Sequence, residues 1–522
     1  MKIYKGNILS VNENNDVFQY LVEDNGKIVY VGNELPGKYD GGELIELGNK
    51  SLVPTFCDTH QHFASFSLFN AGLNVMEAKS NVEILEMVKE FYKRSDASTL
   101  IAFGASPYSV EEHCLVSREQ LDSVCPDKPF FMVKYDGHAC VVNSVLLKGI
   151  EESCKGLRGY HPDTGEMNQE AFFAVSDYIT ASIPVPELIK DMMLAVNYEA
   201  SKGIGMVHSV SGVGFPKDLD IKMEKWFSRG IQSGFQIRVF PQKIDVETAK
   251  KFKLGRVGGC FQCALDGCFG SKDAALIEPY SDDPENYGVL YYTDEQVTEF
   301  CKQANRAGLQ IELHAIGDKA FNQAAKAIKA ALDDCPRENH HHGIIHACLT
   351  TEEGRKICGD YKISVPMQIS FDNWRQEPAE YTGEILGDER NGSLNPVKTF
   401  MDLGCTVGLG SDGPCTDPDP IIWLYKAVNH SNPSQRVTIQ DALKMSTYNG
   451  YWITFDEKER GSLEAGKIAD MVILSDNPYT MDPSKLMDLK VEKTILQGKE
   501  FSKEEGSFVK PILRGIFSSK KA

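Results

Sequence analysis

Nowhere does this chain carry an apolar run long enough to cross a bilayer, which excludes a membrane-spanning helix. The opening Met1-Lys2-Ile3-Tyr4-Lys5 leads into mixed polar sequence with no signal-type apolar region, so a cytoplasmic location is expected. Basic residues are in deficit: 55 Lys and Arg stand against 74 Asp and Glu, a net charge of −19. That balance argues against nucleic acid and against an anionic membrane as partners. Internal repeats and low-complexity tracts are absent, which removes solenoid and disordered-chain readings. The fourteen cysteines are scattered, and with no secretion signal they are expected to be free thiols in a reducing compartment.

What is present is an ordinary globular composition over 522 residues, enough for two or three structural units. Residues 1–52 alternate short β-like runs (Lys2–Leu9, Val17–Glu23, Lys27–Val31) with Asn, Asp and Gly turns. Residues 456–505 hold similar runs, Asp470–Leu474 and Val491–Leu496, so both ends are expected to complete one small β-sandwich. Between them, apolar strands alternate with amphipathic helices such as Lys319–Leu332, the pattern of parallel pairing. The strand at 53–69 and seven more within 201–455 make eight, the number that closes a (β/α)8 TIM barrel. The expected fold is therefore α/β. Residues 70–200 fall outside that count and read as an insertion after the first barrel strand, and 506–522 as a loosely held tail.

Chemistry concentrates at the strand ends, where such a barrel carries its catalytic residues. Val53 to Cys57 are mostly apolar, and Asp58-Thr59-His60-Gln61-His62 follows at once. Two histidines two residues apart on an extended strand point to one side. Further strands end in His314, His346 and Asp412. Four imidazoles and a carboxylate are the donor set that Zn²⁺, Fe²⁺ or Mn²⁺ accepts. His340, His341 and His342 precede their strand at its opposite end and are expected in a solvated loop.

These motifs, with Asp136-Gly137-His138-Ala139, Leu265-Asp266-Gly267, His314-Ala315-Ile316-Gly317-Asp318, Leu409-Gly410-Ser411-Asp412-Gly413-Pro414 and Gly461–Asp470, run in order along nearly the whole chain. In them the chain resembles the amidohydrolase superfamily, in its amidohydrolase-3 or YtcJ-like branch, which includes N-substituted formamide deformylase. The resemblance implies a distorted (β/α)8 barrel with a composite β-sandwich from both termini. It implies that His60 and His62 hold a metal, that His314 and His346 face a second site or the substrate, and that Asp412 is both ligand and general base. His138, Asp318 and Trp374 are the expected substrate-side residues.

Two positions depart from the pattern. Relatives carry on the fourth barrel strand a lysine that becomes carboxylated and bridges two metals, and alignment on Asp266-Gly267 puts Gln262 there. An amide brings no negative charge to separate two cations. Where relatives have a glutamate before the sixth-strand histidine, this chain has Ile345. The expectation is accordingly one divalent metal per chain, Zn²⁺ first, held by His60, His62, His314 and Asp412, with His346 polarising the substrate. Glu170 in the insertion is the alternative bridge, and Cys260, sharing the face of Gln262 by the two-residue strand period, a further thiolate candidate. The function expected is metal-assisted hydrolysis of a non-peptide C–N bond in a small-molecule substrate, with Asp412 as base and His346 at the oxyanion. The rivals are a hydrolytic deaminase of a cyclic amidine and a catalytically reduced metal-binding or regulatory protein. Aromatic patches permit a homodimer.

Overall fold

Both ends of the chain meet in one sheet. The computed structural model describes residues 1–212, 214–503 and 509–522. Its largest sheet has seven strands in the order Lys499–Glu500, Val491–Leu496, Met471–Leu474, Glu43–Pro54, Lys2–Leu9, Val17–Asp24, Lys27–Gly32. Met471–Leu474 runs antiparallel to Ser51–Pro54, and Thr55 N donates to Asp470 O at 3.2 Å. The histidine strand starts one residue later, so this sheet clamps the base of the functional strand.

The eight parallel strands are all present: Phe56–Gln61, Ile204–Ser211, Gln236–Pro241, Arg256–Ala264, Gln310–Ala315, Gly343–His346, Val365–Met367 and Val407–Leu409. Phe56–Gln61, Ile204–Ser211 and Gln310–Ala315 are buried along their whole length, as strands covered on both faces must be. Among the described residues the eight strands do not pair into one closed ladder. The strands pair in sheets of three, three and two, with single parallel bridges at Gly343–Ser364 and Gln61–Gly413 between sheets. One of the breaks lies beside Arg256–Ala264, whose backbone is irregular. There Gly258 and Gly259 have φ of 127° and 124°, and Phe261 sits at 45°. The mixed α/β character stands.

Helices cover the strands as the 3.6-residue period requires. Thr293 and Gln296 close a capping box ahead of Asp294–Arg306. In Asp318–Asp334 small residues, Ala320, Ala324, Ala327 and Ala331, turn inward with Phe321 and Ile328. Residues between the first and second parallel strands form their own six-stranded sheet, centred on Leu100–Ala105, Phe130–Lys134 and Ala139–Val142. Trp374 and Cys415 pack onto the apolar cluster at one face of it, which brings the insertion against the strand ends.

Two sequence expectations fail for reasons of packing. His340, His341 and His342 are buried rather than solvated. His341 is stacked between Trp452 and Phe455, with ring centroids 3.7 and 3.9 Å away, and His342 Nδ1 accepts from Ile311 N at 3.1 Å. The C-terminal segment is likewise docked: Val509–Phe517 is a helix that packs on Leu219–Gly230. The approach is close enough that a Cβ on Gly230 would stand 1.6 Å from Pro511 O, and one on Gly515 1.7 Å from Trp226 O. Among the described residues no helix is long and apolar enough to cross a membrane.

Candidate metal centre

Asp58 organises the first strand end. Its carboxylate accepts from Ser411 N at 3.0 Å, from Ser411 Oγ at 2.5 Å and from His60 N at 3.2 Å. Asp412 N in turn donates to His60 O at 2.8 Å. The two strand ends are thus tied side by side, although they lie about 350 positions apart in sequence. Asp412 is held at φ 55°, and His346 and Ala347 at 69° and 48°. Left-handed backbone at non-glycine residues costs on the order of 1–3 kcal/mol each and persists only where the surroundings enforce it.

The result is a convergence of donors. Asp412 Oδ1 lies 3.1 Å from His60 Nε2 and 3.3 Å from His62 Nε2. It is fully buried, yet it makes no hydrogen bond of acceptable geometry. Cys260 Sγ joins these three atoms, 3.2 Å from His60 Nε2, and also stands 3.6 Å from His346 Nε2. The potential ligand atoms fall into two groups, His60–His62–Cys260–Asp412 and Cys260–His314–His346, each within 4.8 Å of one another and each buried. The donors suit a divalent metal of borderline softness.

This grouping corrects the expected shell. His314 is not a fourth partner of His60, His62 and Asp412; its neighbours are His346, with ring centroids 4.6 Å apart, and Cys260. Gln262 lines the cavity. It is exposed, and its backbone oxygen accepts from Tyr292 Oη at 2.7 Å. Glu170, also on the cavity wall, is in neither donor group; Arg158 Nη2 holds its carboxylate at 2.8 Å on an exposed stretch of helix. Asp318 caps the loop before it, accepting from Ile277 N at 2.9 Å, and stands outside the cavity wall. His138 and Trp374 do line the cavity.

Cys260, Asp58 and Ser411 are the residues that sequence reasoning undervalued. For Cys260 the signal was the Gly258-Gly259 pair, which marks a bulge within a strand. For Ser411 nothing short of tertiary contact could have distinguished it from a helix cap.

Burial sets the electrostatics. It lowers the pKa of His60 and holds that of His346 well below the usual imidazole value, so both are neutral and have free lone pairs. Burial acting alone would raise Asp412, but the flanking His60 and His62 hold it well below the ordinary carboxylate range. One layer down, burial pushes Asp58 up to about 7 and raises Glu199 well above normal, with Gln61 Nε2 donating to Glu199 at 2.5 Å. The donor cluster opens on a cavity of about 1910 Å³, walled on one side by Trp374, whose ring lies 4.8 Å from Phe371 and 5.1 Å from Tyr135. Cys260, His314, His346 and Asp412 all reach its surface.

A mixed α/β chain with His, Cys and Asp donors gathered at parallel strand ends beneath a large cavity has the make-up of a metal-dependent hydrolase. The chain belongs to the amidohydrolase family, whose model matches residues 43–501. It is similar to YtcJ of Bacillus subtilis (strain 168), with 26% identity over 523 residues covering 95% of this chain and 98% of YtcJ. It is similar also to N-substituted formamide deformylase of Arthrobacter pascens, with 22% identity over 558 residues covering 95% and 97%. Among solved structures it resembles an uncharacterized metal-dependent hydrolase from Pyrococcus furiosus, with 24% identity, a TM-score of 0.74, and coverage of 92% and 100%. That last likeness speaks to the fold.

Proposed function

We propose that this protein hydrolyses a C–N bond of amide type in a small, non-peptide substrate at a divalent-metal centre built on a distorted (β/α)8 barrel. The observation that carries the reading is the buried Asp412 Oδ1, without a hydrogen bond and facing His60, His62 and Cys260 at the floor of the cavity. Zn²⁺ suits a set of imidazole, carboxylate and sulfur donors better than Mg²⁺ or Ca²⁺ do.

A bound divalent cation supplies Lewis-acid polarisation and lowers the pKa of water toward about 7. The chain's own residues do the rest. Asp412 takes the proton of the attacking water and delivers it to the leaving nitrogen. Its pKa, held low by the flanking His60 and His62, keeps it ionised. Ser411 and Asp58 fix the backbone that aims it. His346, turned toward Cys260 and His314, is assigned as a ligand in place of the oxyanion role expected of it. His138 and Trp374, on the cavity wall, bind and orient the substrate.

The test is turnover of metal-replete protein on N-substituted formamides, ureas, lactams and cyclic amidines, with products identified. Release of an amine and a carboxylic acid supports the proposal. Ammonia release with the ring intact assigns the site to deamination instead. A metal-loaded protein inert on every class overturns the hydrolase reading.

A further inference from the structure

We propose that Cys260 is a metal ligand shared between two cation sites, its thiolate standing between His60, His62 and Asp412 on one side and His314 and His346 on the other. The inference rests on the divalent-metal reading above and goes beyond it in naming the bridge and the number of ions.

Distances carry it first. With Zn–N and Zn–O bonds of about 2.0–2.1 Å and a Zn–S bond of about 2.3 Å, the edges of a tetrahedral shell are about 3.3–3.6 Å. The separations are 3.1 Å for His60 Nε2 to Asp412 Oδ1, 3.3 Å for His62 Nε2 to Asp412 Oδ1, and 3.2 Å for His60 Nε2 to Cys260 Sγ. On the far side, Cys260 Sγ to His346 Nε2 is 3.6 Å. The three near-side separations fall at or slightly below those edges, all four donors lie within 4.8 Å of one another, and the sulfur continues into a second group with His314 and His346.

The backbone points the same way. Gly259 pairs with Leu313, but the next partner of the neighbouring strand, His314, pairs with Ala264. Five steps on one strand answer a single step on the other, so residues 260–263 leave the ladder as a bulge. Gly258, Gly259 and Phe261 adopt positive φ to make it. Of the bulge, Cys260 enters the donor cluster while Gln262 is exposed on the cavity wall and Phe261 stacks edge-on to His62 at 5.1 Å.

The surroundings are wrong for a thiol that merely fills space. Cys260 Sγ stands against imidazole nitrogens of His60 and His346, and Asp412 Oδ1 in the same group is buried with no hydrogen-bond partner. Buried polar groups left in this condition call for a ligand. Two divalent ions about 3.5–4 Å apart need an anion between them, and the thiolate is the anionic group that both donor sets share. It also biases the centre toward Zn²⁺, Co²⁺ or Fe²⁺ over Mg²⁺.

The experiment uses the full chain purified without chelator. Elemental analysis should find two metal ions per wild-type chain and no more than one in Cys260→Ser and Cys260→Ala. The Co²⁺-loaded wild type should display a sulfur-to-cobalt charge-transfer band in the near ultraviolet that survives Cys263→Ala and Cys268→Ala but is lost in both Cys260 variants. X-ray absorption on wild-type zinc protein, which needs no variant, should contain a Zn–S shell near about 2.3 Å. A wild type with no sulfur shell, or a cobalt band that persists in both Cys260 variants, overturns the inference. Hydrolysis by a protein with metal but no sulfur ligand removes only this inference. A sulfur-ligated two-metal protein inert on all substrates supports it and removes only the hydrolase reading.

Discussion

Ser411 Oγ donates to Asp58 Oδ2 at 2.5 Å, joining the end of the histidine strand to the residue that precedes the proposed base. Neither residue is in the donor cluster, yet together they set where Asp412 points. Removing the hydroxyl in Ser411→Ala is expected to leave the fold intact and to weaken metal affinity or activity by about 10–100-fold, the usual effect of losing a group that orients a ligand. Metal titration beside a thermal melt checks it. Unchanged affinity and unchanged turnover would remove the positioning role.

Asp412→Asn keeps the size of the side chain and removes its charge. Activity should fall by at least about 10²–10⁴-fold, the range for loss of a positioned general base. The melting curve should stay close to that of the wild type at equal metal loading. Near-normal turnover would sink the assignment of Asp412 as base.

Chelation followed by gel filtration should abolish turnover, and Zn²⁺ should restore it. The stripped protein should also melt earlier, because a site held at a hundred times its Kd contributes about 2.7 kcal/mol to the folded state. Full activity after complete stripping would exclude a metal mechanism.

Neither Gln262→Lys nor Glu170→Gln should change the metal content. Gln262 is exposed beside the bulge, and the Glu170 carboxylate is occupied by Arg158. A rise in metal content with Gln262→Lys, or a fall with Glu170→Gln, measured by elemental analysis, would return one of them to the centre.

Glu224 offers a pH test away from the metal. It is buried, accepts from Ser211 Oγ at 2.6 Å, leaves Oε1 without a partner, and is pushed by burial up to about 8. A carboxyl whose folded pKa exceeds its unfolded value binds more protons in the native state, so its contribution is full at low pH and is lost as pH rises through the folded value. Between pH 5 and pH 9 this one group should withdraw on the order of 4 kcal/mol. Glu224→Gln should flatten that part of the profile, with a melting temperature above wild type at pH 9 and close to it at pH 5. Parallel profiles for the two proteins would contradict the shift.

Much of this was legible in one dimension. The period-two strands, the helical spacing of Lys319–Leu332 and the placing of His60, His314, His346 and Asp412 at strand ends follow from local rules that tertiary contacts did not overrule. The histidine triplet at 340–342 misled because polarity alone reads as solvent exposure. Its imidazoles satisfy buried backbone groups and stack on Trp452 and Phe455, contacts 100 or more positions away. The tail misled for the opposite reason, since Gly230 and Gly515 permit a helix contact that composition does not advertise.

His60 and His62, Asp412, and their order along the chain were determined by the sequence itself, because donor chemistry and strand-end position are local properties. Which residue stands between the two donor groups was decided only by tertiary structure. The period-two rule that put Cys260 and Gln262 on one face holds for a strand in register, and the bulge after Gly259 takes this one out of register. Sheet pairing with Gln310–Ala315 decides how those residues are spent, and it buries the sulfur in the donor cluster and leaves the amide exposed on the cavity wall.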